Sequence, residues 1–205
     1  MLRTLAVLFA LLSGSVGEAL AQQCLGRPTE AGEQAIAARL DLDEFTILSG
    51  EYSRAATAVA WSVAAGAAAD ELIPPGEIAF ALGGEGSWTG LHRAICPAAT
   101  FWTWADRDIR RTRVRIGVGL GRRLGEERIR GAAFLFPHVR IVRDDVEIQG
   151  EEIDDTRHEV WLDGGFSLRG ERLWTMAVLG LQVGNSSPGE DVLDGSLRFA
   201  AGVAF

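Results

Sequence analysis

The residues of this sequence that could do chemistry are mostly charged side chains set within apolar stretches. Arg113 and Arg115 alternate with Val114 and Ile116, so both arginines lie on one face if the segment is extended. Other arginines and carboxylates recur in the same alternating way. Such side chains can pair with one another in a protected interior, or they can line a passage that favours anions.

A search for catalytic residues finds no nucleophile and base at a spacing that requires catalysis. The histidines are His92, His138 and His158; His158 adjoins Glu159, and Ser167 lies further along the same segment. A histidine whose partners are interior carboxylates explains these positions better than a catalytic base does. The sequence therefore predicts no catalytic residue, no cofactor and no metal ligand.

The N-terminus has the pattern of a secretory signal peptide. A positive start at Arg3 precedes an apolar run over 5–12, and Ala19-Leu20-Ala21 fits a cleavage site. We predict that residues 1–21 are removed. No later stretch is apolar for long enough to span a bilayer as a helix. The net charge of −8 gives no support to nucleic-acid binding.

Two cysteines, Cys24 and Cys96, remain after export. In an oxidising compartment an isolated pair is more typical of a disulfide than of a metal or redox site. We therefore predict a Cys24–Cys96 disulfide that ties an N-terminal segment over 22–34 to one domain over 35–205. Two free thiols are the alternative.

From about residue 35 the sequence reads as strands separated by turn signals, without a helical period. It predicts an all-β fold of about ten strands, with eight as the alternative because the first two segments are the least regular. The predicted strands are 35–43, 45–53, 58–69, 76–87, 92–104, 111–123, 128–143, 156–168, 172–184 and 194–205. Most are longer than is usual in soluble domains and long enough for a tilted strand to cross a bilayer.

The connections between these strands alternate in length. If both termini lie on one side, the connections on that side are short, at 53–57, 88–91, 124–127 and 169–171. Those on the other side are longer, at 70–77, 105–110, 144–155 and 185–193, apart from a tight turn near 43–44. Short periplasmic turns with longer external loops are typical of membrane barrels. We interpret the acidic connection 144–155 as a solvated loop, with a divalent-cation site as the alternative.

Aromatic residues fall near both ends of the predicted strands and predict two interfacial belts. One belt would hold Tyr52, Trp61, Trp88, Trp174 and Phe205, and the other Phe45, Trp102 and Trp104. The last strand ends on an aromatic residue, and its apolar face consists of Leu197, Phe199, Ala201, Val203 and Phe205.

The signal peptide, the strand pattern and this terminal alternation together resemble small bacterial outer-membrane β-barrel proteins. That group includes OmpA-like, OmpX-like and OmpW-like barrels and related porin-type proteins, and the resemblance covers essentially the whole chain after the signal. It implies a closed antiparallel up-and-down transmembrane β-barrel, a monomer in the outer membrane of a Gram-negative envelope. It also implies contact with lipid and lipopolysaccharide. The face from Leu197 to Phe205 would be the insertion signal read by periplasmic chaperones and the barrel-assembly machinery.

In such a barrel the alternation predicts a lumen of mixed charge. The expected lumen-facing residues are Arg39, Asp41, Glu85, Arg113, Arg115, Arg130, His138, Arg140, Glu159, Asp163 and Arg198. Mutual pairing favours a largely plugged lumen and a structural or binding role. One alternative is a narrow channel for small anionic solutes, with Arg113, Arg115, Arg130 and Arg140 as its constriction. The others are an outer-membrane lipid-modifying enzyme and a soluble secreted lipocalin-like barrel.

Overall fold

The computed structural model describes residues 32–56, 58–70, 77–88, 95–106, 109–124, 130–148, 151–185 and 194–205. The predicted signal peptide over 1–21 and Cys24 lie outside these ranges, as does nearly all of the segment 22–34. Cleavage, the domain boundary and the disulfide therefore stay predictions.

Ten strands account for most of the described residues. They are β1 (Gln34–Leu42), β2 (Phe45–Ala55), β3 (Val59–Asp70), β4 (Ala79–Trp88), β5 (Ile95–Ala105), β6 (Ile109–Leu124), β7 (Arg130–Ile148), β8 (Glu151–Arg169), β9 (Leu173–Asn185) and β10 (Gly195–Ala204). Each strand is antiparallel to the next along the chain, and β1 pairs with β10 to close the barrel. The predicted all-β, closed up-and-down barrel is confirmed. The eight-strand alternative is wrong, because β1 and β2 both form and β1 supplies the closing edge.

No helix within the described ranges is long and apolar enough to span a membrane.

The two ends of the barrel differ in what they carry. The backbones of Gln34 and Phe205 hydrogen-bond to each other at the end we call the terminal end. The opposite end, which we call the hairpin end, carries the β1–β2 turn at Asp43 and Glu44 and the β7–β8 hairpin. Because the strands run up and down, every residue in a strand has a defined position between these two ends.

Alternation along each strand separates an inner from an outer face. In β2 the side chains of Phe45, Ile47 and Ser49 are buried inside the barrel, whereas Leu48 is exposed outside. The outer face is apolar around the circumference. Its exposed large side chains include Ile36, Leu48, Val63, Phe80, Phe101, Ile116, Val139, Leu162, Leu179 and Phe199. The inner face holds most of the charge.

The acidic stretch 144–155 is a strand hairpin through most of its length, so it is not a loop, although it is solvated as expected: the Asp154 side chain is 69% exposed. β7 continues to Ile148 and β8 begins at Glu151, with Val146 directly opposite Ile153. Within the described residues β9 pairs with β8 from Glu159 onward, so the hairpin extends past the described part of that neighbour. Apolar residues alternating with the carboxylates support the pairing, and arginines beside the carboxylates reduce their repulsion.

The predicted aromatic belts are partly wrong. Trp61, Trp88 and Phe205 do face outward, but Phe45, Trp102, Trp104 and Trp174 are buried in the lumen. The reason is parity: position near a strand end sets the height of a side chain, whereas odd or even spacing sets its face.

Glycines make room for three of the inward aromatic rings. A Cβ atom on Gly83 would clash with the ring of Trp102, its cross-strand partner. Gly165 faces Phe134 and Gly202 faces Trp174 in the same manner. An aromatic ring lying over a cross-strand glycine fills the lumen without pushing the strands apart.

Candidate functional site

The centre of the lumen is crossed by a network of buried charges, and its first part comes from β6 and β7. Arg113 and Arg115 point inward because they alternate with outward residues such as Ile116, which is 56% exposed. Arg140 of β7 lies directly opposite Arg115 in the strand register. Arg113 and Arg140 are both 0% exposed. Three guanidinium groups therefore lie close together in the interior.

These three arginines converge on one carboxylate, that of Asp43 in the β1–β2 turn. The Nη1 atoms of Arg113 and Arg140 donate to Asp43 Oδ2 at 2.8 Å and 2.6 Å. Arg115 Nη2 lies 3.6 Å from the same oxygen. The first hairpin of the chain is thus bound to strands on the opposite side of the closed sheet.

Arg140 has further partners on two sides. Its Nε donates to Glu159 of β8, and its Nη2 donates to Glu44 at 3.2 Å. Trp161 Nε1 donates to the same Glu159 oxygen at 2.7 Å, and the Arg140 guanidinium lies 4.0 Å from the Trp161 ring centroid. Hydrogen bonds and a cation–π contact together hold this charge in place.

A second group of ion pairs continues the network across the lumen. Asp163 of β8 lies 3.5 Å from Arg115 and 3.4 Å from Arg198 of β10. Arg198 also pairs with Asp41 at 2.9 Å, and Asp41 pairs with Arg39 at 2.9 Å. Arg39 reaches Glu51 and Glu85 at 3.5 Å and 3.9 Å. The charges therefore form one chain of contacts from β7 and β8 through β10 to β1, β2 and β4.

Apolar side chains fill the lumen beside this network. One buried cluster comes from β2 to β5 and consists of Phe45, Ile47, Ala64, Ala68, Ala79, Ala81, Trp102 and Trp104. Another comes from β1, β7, β9 and β10 and consists of Ala35, Ala37, Phe134, Trp174, Met176, Val178, Ala200 and Ala204. Charged and apolar layers together occupy the interior, as expected for a barrel of about this size.

Asp43 lies in a turn outside the strands, and its surroundings favour the charged form. Burial raises the pKa of Asp43, but the guanidinium groups of Arg113, Arg140 and Arg115 outweigh burial and hold the pKa below its usual value. The backbone N–H of Glu44 adds to this by donating to Asp43 Oδ1 at 3.0 Å.

Most of the lumen residues expected from the sequence come together in this network. The structure places Arg39, Asp41, Arg113, Arg115, His138, Arg140, Glu159 and Asp163 inside the barrel with little exposure, and Glu85 and Arg198 have mostly buried side chains there. Arg130 is separate from the other arginines. It is the first residue of β7, it is half-buried, and it lies opposite Arg169 near the terminal end. It takes no part in the cluster of Arg113, Arg115 and Arg140.

His138 differs from expectation in its partners. We expected carboxylates, but its Nδ1 lies 3.0 Å from the carbonyl oxygen of Phe136, and its ring stacks on the Phe136 ring. Within the described residues its Nε2 has no hydrogen-bond partner. Because a carbonyl oxygen can only accept, Nδ1 carries the proton in this contact.

The candidate catalytic residues do not form a reacting pair. His158 faces outward and Glu159 inward, since they are adjacent in a strand. Glu159 is occupied by Arg140 and Trp161, and Ser167 lies further toward the terminal end of β8. Across the ranges that the structure describes, no set of three or more His, Cys, Asp and Glu side chains is arranged to hold a metal ion.

Cys96 and the last strand take the places that the sequence indicates for them. Cys96 is buried on the inner face of β5, while its predicted partner Cys24 lies outside the described residues. In β10 and just after it, Leu197, Phe199, Ala201, Val203 and Phe205 all face outward. Their role as an insertion signal stays a prediction.

Several residues of the network were missed by the sequence analysis. Asp43 and Glu44 were interpreted only as a turn, and Glu51 and Trp161 were not assigned to the lumen. For two of them the alternating spacing of the sequence does indicate an inward position. Asp43 continues the spacing of Arg39 and Asp41, and Glu51 continues that of Ile47 and Ser49.

No protein-family model matches the sequence, and no curated protein matches it significantly. Among solved structures, the N-terminal β-barrel domain of Pseudomonas aeruginosa OprF is similar, with 10% identity, 85% of this chain and 98% of that chain covered, and a TM-score of 0.37. Ail, the attachment invasion locus protein of Yersinia pestis, matches at 10% identity with coverages of 85% and 99% and a TM-score of 0.41. The KdgM porin, solved in complex with disordered oligogalacturonate, matches at 11% identity with coverages of 83% and 98% and a TM-score of 0.36. Similarity at this level says nothing about what the present barrel binds.

Proposed function

We propose that this chain is an outer-membrane β-barrel with a lumen closed by ion pairs, and that it has a structural or binding role. The apolar outer face supports the membrane part of the proposal. Ile116, Val139 and Val160 lie on neighbouring strands near mid-barrel, and each is about half exposed. A continuous apolar surface of this kind is unfavourable in water and favourable against lipid chains.

The distribution of charge argues against a soluble lipocalin-like barrel. Such a barrel would carry an apolar lumen and a polar exterior. Here Arg113, Asp163 and Glu159 are among the most buried side chains, whereas Leu179 and Phe199 are exposed. This arrangement is the reverse of a soluble ligand-binding barrel, and it suits one solvated by lipid.

The observation that supports a closed lumen most directly is the position of the Asp43 carboxylate. It comes from the β1–β2 turn, and it binds Arg113 and Arg140 on the opposite part of the sheet. A solute would have to break these buried ion pairs to pass. Separating a buried pair costs about 3–5 kcal/mol when one charge is left without a partner.

A narrow channel for small anions is the second candidate, because three arginines converge within the lumen. In that function Arg113, Arg115 and Arg140 would release Asp43 and face a water-filled path. Arg130 would not contribute, since it lies near the terminal end.

The proposed location also implies the partners of the barrel. Its surroundings would be outer-membrane lipid and lipopolysaccharide, and the barrel-assembly machinery would act on it during insertion.

Cell fractionation combined with gel mobility tests the location. We expect the full chain in the outer-membrane fraction, and we expect it to migrate differently in detergent gels before and after boiling, as a closed barrel resists unfolding by detergent. Recovery from the soluble periplasm without a heat-dependent shift would contradict the proposal.

A further inference from the structure

We propose that Arg113, Arg115 and Arg140 form a binding site for a small carboxylate, and that Asp43 is the built-in occupant of this site. The inference rests on the closed lumen proposed above. It adds that a free carboxylate can take the place of the Asp43 side chain at the hairpin end.

Arg113 is the residue that depends most on Asp43. Its side chain is 0% exposed, and within the described residues Asp43 is its one carboxylate partner at ion-pair distance. Arg115 and Arg140 each have a second carboxylate, Asp163 and Glu159. Removal of the Asp43 carboxylate would therefore leave a fully buried guanidinium without a counter-charge, which is a strong driving force for anion binding.

The donors at this site outnumber the acceptors that reach them. Arg113 Nε and Nη2 and Arg115 Nε are buried and have no hydrogen-bond partner among the described residues. A buried donor without an acceptor is costly, so these atoms favour any ligand that brings additional acceptor oxygens.

Asp43 fills this site incompletely because the turn constrains it. Its Oδ1 accepts the backbone N–H of Glu44 at 3.0 Å, so Oδ2 alone serves the arginines. A carboxylate that is not part of the turn can present both oxygens to a guanidinium fork, which is the stronger arrangement. The chemistry of the Asp43 side chain therefore identifies the ligand class as a carboxylate.

The β1–β2 turn is also the part of this site nearest to solvent. The Glu44 and Arg157 side chains beside it are 25% and 31% exposed, whereas that of Asp43 is 2% exposed. Phe45, which follows the turn, lies 4.5 Å from the Arg113 guanidinium and packs on Trp104. Outward movement of Asp43 and Glu44 would open the arginines to the hairpin end while the rings stay in place.

The experiment uses the full chain refolded in detergent micelles, with sodium acetate as the probe and sodium chloride at matched ionic strength as the reference. Asp43→Ala removes the occupant, and Asp43→Asn removes its charge with little change in volume. We expect acetate to raise the urea midpoint of both variants saturably, with half of the effect at millimolar acetate, and to act on the wild type only at much higher acetate, because Asp43 must first be displaced there. Restoration of folding by acetate, should a variant fail to fold in chloride, supports the proposal as well.

Glu33→Ala is the matched control. It also removes a carboxylate from an arginine, since Glu33 binds Arg169 through two 2.6 Å hydrogen bonds, but it does so at the terminal end, away from the cluster of Arg113, Arg115 and Arg140. The proposal is overturned if acetate has no saturable effect on either Asp43 variant, if it acts equally on Glu33→Ala, or if chloride or phosphate acts as strongly. Each of these results is compatible with a barrel in the outer membrane. Failure of the acetate experiment can therefore be distinguished from failure of the fractionation experiment that tests the location.

Discussion

Asp43 in the first hairpin and Arg140 in β7 are joined by a 2.6 Å hydrogen bond, although 97 residues separate them in the sequence. The contact brings the start of the barrel to strands on the opposite part of the wall. Because β1 also pairs with β10, the first hairpin is fixed both at the closing seam of the sheet and through the lumen.

Loss of Arg140 is predicted to destabilise the barrel strongly. Arg140→Gln removes the charge that Asp43 and Glu159 share and leaves two buried carboxylates with weaker partners. We expect the free energy of unfolding to fall by about 3–5 kcal/mol. Arg143→Gln, three positions along the same strand, is the control because Arg143 is 54% exposed where it pairs with Asp145. It should cost less than ~1 kcal/mol. Equal losses in urea unfolding would show that the lumen pairs add no stability of their own.

Acid is predicted to remove the contribution of Asp43. The pKa of Asp43 is lowered in the folded protein, because Arg113, Arg140 and Arg115 outweigh the effect of burial. Its stabilisation is therefore complete above the ordinary carboxyl pKa of about 4 and is lost as the pH falls through the lowered value. The difference in unfolding midpoint between wild type and Asp43→Asn should shrink as the pH falls from 7 towards 3. A difference that stays constant over this range would argue against this role for Asp43.

Gly83 is predicted to be intolerant of a side chain. In Gly83→Ala the new Cβ would clash with the Trp102 ring, which is enclosed by the lumen. We expect a loss of about 1–3 kcal/mol from overpacking. Gly86→Ala in the same strand is the control, since nothing lies within 4 Å of its added Cβ. A loss as large for Gly86→Ala as for Gly83→Ala would mean that strand flexibility, and not space for Trp102, sets the effect.

We predict that a charged side chain on the outer face lowers stability more near the middle of the barrel than in the projecting hairpin. Val139 faces outward near the middle of β7, opposite Val160, so Val139→Arg should reduce stability in lipid by about 2–4 kcal/mol. Ile153→Arg makes a similar change in the projecting β7–β8 hairpin, where Ile153 is 51% exposed, and should cost less than ~1 kcal/mol. Reversible unfolding from lipid vesicles measures both. Equal small costs would mean that Val139 does not face hydrocarbon.

The sequence predicts the strands well because alternation and turn residues are local signals. β9 was expected over 172–184 and runs from Leu173 to Asn185. The same alternation places Arg113 and Arg140 on the inner face. It fails for the 144–155 stretch, where charge was given more weight than the apolar residues Val146 and Ile153 in the pairing strands.

Which charges meet could not be predicted, because this depends on how the closed sheet is staggered. Asp43 reaches Arg140 only once β1 has paired with β10 and the turn lies over the lumen. Local sequence carries no information on that geometry. Trp102 and Trp104 share a face of β5 with the buried Thr100, so odd or even spacing sets their direction and strand-end position was the wrong criterion.

Current through planar lipid bilayers tests the central claim, that buried ion pairs close the lumen, most directly. Wild-type protein should be inserted at neutral pH, with its folded state in the same vesicles established by heat-dependent gel mobility. We predict no stepwise current above that of lipid alone, because Asp43, Arg113 and Arg140 block the passage. Stable single-channel steps from the folded wild-type barrel would contradict the account.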